Sequence, residues 1–329
     1  MSGRRSAADV ADPLDARHLG PESLRRYLAA LGLRPQKRLS QNFLADGEVL
    51  EAIVDAADVG RPVESGAGAA RTVLEVGPGL GILTGALLAA GARVVAVEVD
   101  PRMVDELARR FAIPIADDQL RVVHDDILDR VVSDLVARPW DLVANLPYHI
   151  TSPILHHVLA DEPRPERFVL MVQREVGERI AAPPGGLSYL SIFVQYHADV
   201  AILRIVPATA FEPAPAVDSA VLVGRTRPRR LAPAAEEDLW RLVQAGFRER
   251  RKMLHNVLPR QLPWVGRARI AAAMADCGID ADRRPQTLSV EEWLALAAAI
   301  GPLGQPAGED PGPIDAGPDA GTDDPPTSV

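Results

Sequence analysis

From Thr72 onward, short continuous apolar runs alternate with stretches whose apolar residues recur at helical spacing. Runs of four to eight apolar residues read as buried strands, and the 3.6-residue period reads as helix. The pattern predicts strands over Thr72–Val76, Arg93–Glu98, Leu120–His124, Trp140–Ala144 and Arg167–Gln173. Between them it predicts helices over Leu83–Ala90, Pro101–Phe111, Ile150–Ala160 and Arg174–Ala182. Such alternation implies a mostly parallel sheet covered on both faces. Ile192–Val206 and Val217–Gly224 have no helix between them and read as an antiparallel pair closing the sheet. Upstream, a helix is expected over Pro21–Leu31, and another carries Val49, Leu50, Ile53 and Val54 on one face. Downstream of a Pro/Arg linker at Arg225–Pro233, helices are expected over Glu236–Arg250, Trp264–Asp276 and Val290–Ile300. Ser289 and Glu292 form a capping box for the last of these.

These elements divide the chain into four parts: an N-terminal extension (1–35), a Rossmann-like α/β domain (36–225), a small all-helical domain (226–300) and a tail (301–329). The tail is rich in Gly, Pro and Asp and is expected to be disordered. Arg61–Ala70 reads as an inserted loop. With 329 residues, the chain has room for one large domain and one smaller one. No stretch approaches the roughly 20 apolar residues of a membrane span. Arg4 and Arg5 are not followed by an apolar run, so no secretory signal is visible, and a cytoplasmic location is expected. Cys277, the single cysteine, excludes an internal disulfide and a Cys-based zinc site, and reads as a small core residue near Met274.

The net charge of −9 argues against a polyanionic partner until its distribution is considered. The tail contributes Glu309, Asp310, Asp315, Asp319, Asp323 and Asp324 with no Lys or Arg, whereas Arg204–Arg269 holds thirteen basic residues against six acidic ones. On charge alone, that stretch is an RNA-binding face or an ordinary solvated one.

Candidate chemistry lies at the ends of the predicted strands, where open α/β sheets bind ligands. Leu74-Glu75-Val76-Gly77-Pro78-Gly79-Leu80-Gly81 joins the first strand to a helix. Gly77 and Gly79 let backbone approach a ligand closely, as in a dinucleotide site or in one for S-adenosylmethionine. Glu98 ends the second strand, where an acid accepts ribose hydroxyls or caps the turn before Pro101. Asp126 follows the third strand and can accept a cofactor adenine amine; Asp125 competes for that role, and a turn-stabilising Asp is the structural alternative. Asn145-Leu146-Pro147-Tyr148 follows the fourth strand. An exocyclic base amine needs a side-chain acceptor and a backbone carbonyl for its two N–H groups, and an aromatic ring to hold the extruded base flat. Asn145 Oδ1, the Leu146 carbonyl on a backbone stiffened by Pro147, and Tyr148 supply those parts. No second site offers hydride chemistry, so the pair of motifs favours S-adenosylmethionine over a nicotinamide, with no metal required.

With Gln41-Asn42-Phe43-Leu44-Ala45-Asp46, Phe211-Glu212-Pro213-Ala214-Pro215-Ala216-Val217-Asp218-Ser219-Ala220 and Phe247-Arg248-Glu249-Arg250-Arg251-Lys252-Met253-Leu254-His255-Asn256 added, the chain resembles the 16S ribosomal-RNA adenine dimethyltransferase family from about Lys37 to Ile300. The resemblance implies a class I methyltransferase sheet and a cofactor site completed by Asn42 and Leu44 beside Gly77, Glu98, Asp126 and Asn145. It implies Phe211 as a second ring sandwiching the target adenine against Tyr148, and a substrate of two adjacent adenines near the 3′ end of 16S rRNA in the small ribosomal subunit. Phosphate contacts are expected from Arg248, Arg250, Arg251 and Lys252, and a monomer is the simplest state. A related family that methylates 23S rRNA and confers macrolide resistance is the alternative; the Arg250-Arg251-Lys252 cluster and the long helical domain favour the 16S type. A non-catalytic assembly factor on the same fold is a third reading, opposed by the intact Gly77–Gly81 turn, Glu98 and Asn145. Departures from the family pattern are Leu39-Ser40 before the Gln-Asn-Phe-Leu motif, His149 after Tyr148, and the loop 183–190.

Overall fold

The strand–helix alternation folds as a seven-stranded sheet with helices on both faces. A computed structural model describes residues 14–36, 39, 41–59, 70–249 and 251–304. Ser40, Arg250, residues 61–69 of the insertion, residues 1–13 of the N-terminal extension and residues 305–329 of the tail, on which sequence expectations fell, lie outside the described residues.

The chain begins with α1 (Pro21–Ala30), β1 (Phe43–Leu44), α2 (Gly47–Ala57), β2 (Thr72–Val76), α3 (Ile82–Ala89), β3 (Arg93–Glu98) and α4 (Pro101–Arg110). It continues through α5 (Ala112–Ala116), β4 (Leu120–His124), α6 (Val132–Leu135), β5 (Trp140–Asn145), α7 (Thr151–Ala160), β6 (Arg167–Gln173) and α8 (Arg174–Ile180). Then come α9 (Tyr189–His197), β7 (Ala198–Val206), β8 (Phe211–Glu212), β9 (Ser219–Thr226), α10 (Pro233–Phe247), α11 (Leu254–Gln261), α12 (Arg267–Asp276) and α13 (Val290–Ile300).

The sheet runs β4-β3-β2-β5-β6-β9-β7, parallel from β4 to β6 and antiparallel at β6–β9–β7. Leu74 of β2 pairs with Val95 on one side and Leu142 on the other. The chain therefore crosses in opposite directions from β2, and the crevice at the carboxyl ends of β2 and β5 is the topological switch point. Leu74, Val94, Ala96, Leu142, Val143 and Leu170 are fully buried. Strands covered on both faces read as continuous apolar runs for this reason, which is why their limits were visible in the sequence.

The described chain divides into two compact units, one of residues up to Ala181 plus His197–Arg227, the other of Ala182–Tyr196 plus Pro228 onward. The sequence pattern reads Ile192–Val206 as one strand of the α/β domain; Tyr189–His197 instead form α9, residues 182–196 belong to the helical unit, and only Ala198–Val206 is strand. Ser188 explains the helix start. Its Oγ accepts from Ser191 N at 3.1 Å while Ser188 N donates to Ser191 Oγ at 2.9 Å, a capping box with Ser in place of Glu. The helix then packs its rings on α10, with Tyr196 5.0 Å and Phe193 5.1 Å from Trp240.

Two further expectations are corrected in the helical unit. Pro233 starts α10 three residues before the expected Glu236, because proline is preorganised for the first helical turn. Residues Leu254–Gln261 form α11 where none was expected; Leu254, Val257 and Leu258 bury one face although Pro259 lies inside the helix. The Ser289–Glu292 capping box of α13 is present, with Glu292 also paired to Arg283.

Candidate active site

A cavity opens at the carboxyl ends of β2, β3 and β5, lined by residues from every motif read there. Its floor is the turn after β2. Gly79 has φ +55°, and a Cβ on it would lie 2.9 Å from Phe43 Cε1. Only glycine combines that left-handed backbone with so close a ring. A Cβ on Gly77 would stand 3.5 Å from Pro147 Cδ, so the glycine turn and the Asn-Leu-Pro-Tyr segment share one wall.

Gln41, Asn42, Phe43 and Leu44 line the cavity from the N-terminal side. Gln41 accepts from Gln36 N at 2.8 Å and donates to Asp100 Oδ2 at 2.9 Å. Phe43 covers Gly79, Leu44 pairs in antiparallel register with Phe211, and Asp46 caps α2 by accepting from Val49 N at 3.1 Å. Asn42 and Leu44 both face the cavity.

Glu98 is buried, and its two carboxylate oxygens accept from Gly79 N at 3.0 Å and Asp100 N at 2.9 Å. It thus ties the glycine turn to the end of β3. Burial raises its pKa, against the lowering effect of those amide bonds. The cap of α4 is Asp100, not Glu98. Both competing Asp readings hold turns: Asp126 Oδ1 accepts from Leu128 N at 2.9 Å, and Asp125 Oδ1 accepts from Asp126 N at 2.9 Å. Both also line the cavity.

Asn145 ends β5 half-buried, and its Nδ2 donates to the Asn42 carbonyl at 3.4 Å. That contact orients the amide with Oδ1 left as the acceptor. Leu146 is 1% exposed and its N–H donates to Met171 O at 3.1 Å, which fixes the backbone from which its carbonyl projects. Tyr148 is half-buried, with its phenolic oxygen 2.7 Å from Ser219 Oγ. Burial raises its pKa, so it stays a neutral ring.

Phe211 is 2% exposed and packs in the core with Leu44, with which it also pairs in antiparallel register.

Three features escaped the sequence reading. Phe43 over Gly79 is one, and Ser219 under Tyr148 is another. The third is Glu75, fully buried at the cavity with Thr84 Oγ1 donating to it at 2.7 Å; desolvation pushes its carboxyl up to about 8. Its place in the Leu-Glu-Val-Gly run was a visible signal, since an acid inside a buried strand requires a partner.

The cavity wall carries the carboxyl groups Glu75, Glu98, Asp125 and Asp126 and, among the described residues, no Arg or Lys. A dinucleotide brings a pyrophosphate, to which this wall offers no Arg or Lys side chain among the described residues. S-adenosylmethionine has no phosphate, and its sulfonium and ammonium outweigh its one carboxylate, so its net positive charge suits the wall. Among the described residues, no helix is long and apolar enough to cross a membrane, and no group of three or more His, Cys, Asp or Glu could hold a metal ion.

In the helical unit, Arg248, Arg251 and Lys252 are exposed between α10 and α11. Arg248 Nη1 donates to Gln261 Oε1 at 3.1 Å, while Glu249 takes Arg260 at 2.5 Å and Gln261 at 3.1 Å. Lys252, Asn256, Arg260 and Arg267 line an open cleft there, on the surface of the same unit.

The family model for "Ribosomal RNA adenine dimethylase" matches residues 32–301. The chain is 42% identical over 281 residues to "Ribosomal RNA small subunit methyltransferase A" of Geobacter metallireducens, covering 83% of this chain and 98% of the relative. It is 43% identical over 288 residues to the protein of the same name in Anaeromyxobacter sp., covering 85% and 98%. Among solved structures, the 23S rRNA methyltransferase ErmE superposes with a TM-score of 0.61 at 28% identity, over 79% of this chain and 99% of that one. With its glycine turn, Asn-Leu-Pro-Tyr segment and helical unit all inside the matched span, this chain belongs to the ribosomal RNA adenine dimethylase family.

Proposed function

We propose that this chain uses S-adenosylmethionine to convert two adjacent adenines, in a hairpin loop near the 3′ end of 16S rRNA, to N6,N6-dimethyladenine during small-subunit biogenesis. The observation that supports the reading is that Asn145 lines the cavity beside Leu146, Pro147 and Tyr148, with its Nδ2 donating to the Asn42 carbonyl and its Oδ1 assigned as the acceptor. When bound, S-adenosylmethionine supplies an electrophilic methyl carbon on a sulfonium, a good leaving group. Asn145 Oδ1 and the Leu146 carbonyl hold the two amine protons of the extruded adenine. As the nitrogen becomes pyramidal its lone pair leaves ring conjugation and points at the methyl carbon. The protein's task is alignment, and orientation alone is worth many orders of magnitude in rate. Tyr148, pinned through its hydroxyl, holds the base flat by stacking, a contact worth roughly 1–3 kcal/mol. Proton loss to water follows transfer, so no side-chain base is assigned and His149 is structural. Gly77, Gly79, Glu98, Asp126, Asn42 and Leu44 hold the cofactor. Phe211 is assigned as the second ring that sandwiches the adenine against Tyr148.

Arg248, Arg250, Arg251 and Lys252 are assigned to rRNA phosphates, and the enzyme acts as a monomer in the cytoplasm. The small subunit is preferred over 23S rRNA because relatives named for the small subunit match at 42% and 43% identity, against 28% for ErmE. Incubation with labelled S-adenosylmethionine and unmethylated small subunits, with large subunits in parallel, tests this. Label in 16S rRNA alone is expected. Label in 23S rRNA would move the chain to the resistance type, and binding without label would leave an assembly factor.

A further inference from the structure

The helical unit carries a concentration of positive charge and, at its own carboxyl end, a matching concentration of negative charge. Residues 248–269 contain seven Arg or Lys against the single acid Glu249, and residues 305–329 contain six Asp or Glu with no Arg or Lys. We propose that the segment 305–329 docks in cis on this basic face and competes there with rRNA phosphates.

The exit of the chain supports this occupant over any other. Arg269 Nε donates to Ile300 O at 2.8 Å and its Nη2 to Pro302 O at 3.0 Å, which fixes the end of α13 against α12. Leu303 N donates to Asp238 Oδ2 at 3.1 Å, and Arg241 Nη1 to Gly304 O at 2.8 Å. The same Arg241 guanidinium lies 5.7 Å from the Trp264 ring, and Trp264 follows Pro263, which lines the basic cleft with Lys252, Arg260 and Arg267. Gly304, the last described residue, is thus held by the same Arg241 that lies over Trp264, the residue after Pro263 of the cleft. Twenty-five residues can span at most roughly 80–90 Å, so chain length does not keep the segment from the basic face of its own unit. The acids of the segment are spread from Glu309 to Asp324 among Gly and Pro, a strip of separated charges like a phosphate backbone. Glu249 is already engaged by Arg260 and Gln261, whereas Arg251 and Lys252 are exposed.

Tethering supplies an effective concentration of order mM, so weak intrinsic affinity suffices. Charge contacts of this kind fall steeply with salt. The docking stands on charge and exit geometry; the competition rests on the reading that this face takes rRNA.

The test uses a protein truncated after Gly304, which loses no described residue, and a labelled peptide of residues 305–329. Fluorescence anisotropy at low salt is expected to give peptide binding with Kd below about 1 mM, weakened by Arg251→Glu with Lys252→Glu. No binding, or binding indifferent to those reversals, overturns the docking. In parallel, truncated and full-length proteins are titrated against unmethylated small subunits. Truncation is expected to tighten binding about 3–10-fold at low salt, with the gap closing as salt rises. Equal affinity at every salt concentration overturns the competition while leaving the rRNA reading intact. Peptide binding by a protein that binds no subunits in either form keeps the docking and sinks both the competition and the rRNA reading of this face.

Discussion

Tyr148 and Ser219 share a 2.7 Å hydrogen bond across 71 residues of sequence, from the turn after β5 to the first residue of β9. A stacking ring that rotates freely spends binding affinity on being ordered, and this bond orders it in advance. Neutral hydrogen bonds contribute about 0.5–1.5 kcal/mol. Ser219→Ala is therefore expected to lower kcat/KM for methyl transfer about 2–12-fold with cofactor affinity unchanged. Tyr148→Phe should cost a similar amount, and the double variant no more than either alone. Additive losses in steady-state kinetics would show that the bond does not act through the ring.

Gly79→Ala brings a Cβ to 2.9 Å from Phe43 Cε1 at a φ of +55°. Left-handed backbone costs a non-glycine residue about 1–2 kcal/mol before any clash. Because the neighbouring Glu98 bond to Gly79 N shapes the cofactor wall, affinity for S-adenosylhomocysteine should fall at least about tenfold. Calorimetric titration would check this; affinity within twofold of the parent would mean that the Phe43–Gly79 contact does not shape the site.

Glu75 gives the fold a pH dependence of definite sign. Its carboxyl has an ordinary value of 4.5 and is pushed up to about 8 by burial. Below 4.5 it is protonated in both folded and unfolded chains. Between those values the unfolded chain releases a proton that the folded one retains, so stability falls as pH rises and the loss is complete above about 8. Glu75→Gln keeps an acceptor for Thr84 and removes the titration. Melting of the cofactor-free proteins should show the variant gaining on the parent from pH 5 to pH 8. A constant difference across that range would place the carboxyl near its ordinary value.

Arg251→Glu with Lys252→Glu is expected to weaken small-subunit binding and to reduce the slope of log K against log salt, by about one unit for each phosphate no longer neutralised. Cofactor affinity, set in the α/β unit, should be unchanged. Unaltered subunit binding in filter assays would remove this face from the rRNA account.

The sheet and the reactive tetrapeptide were legible because their signals are local. Buried parallel strands such as Arg93–Glu98 are continuous apolar runs bounded by polar residues, and Asn145–Tyr148 carries its chemistry in four consecutive residues. The stretch Ile192–His197 reads as strand because a short apolar run with β-branched and aromatic residues fits a buried strand as well as a buried helix. Packing on Trp240 decides between them, and only the Ser188–Ser191 cap was locally visible. The helix Leu254–Gln261 was hidden by Pro259, which tertiary burial of Leu254, Val257 and Leu258 overrides. Ser219 under Tyr148 and Phe43 over Gly79 depend on approaches between distant segments, and nothing in either local sequence announces them. The burial of Phe211 is likewise a property of the β1–β8 pairing.

The central claim is that Asn145 presents the adenine amine for methylation. Small subunits lacking the modification are incubated with S-adenosylmethionine and either the parent or Asn145→Ala, and nucleosides from the recovered 16S rRNA are resolved by mass spectrometry. The account predicts N6,N6-dimethyladenine with the parent and none with the variant, while the variant still sediments with the subunits. Dimethyladenine at the parent's level from Asn145→Ala would contradict it.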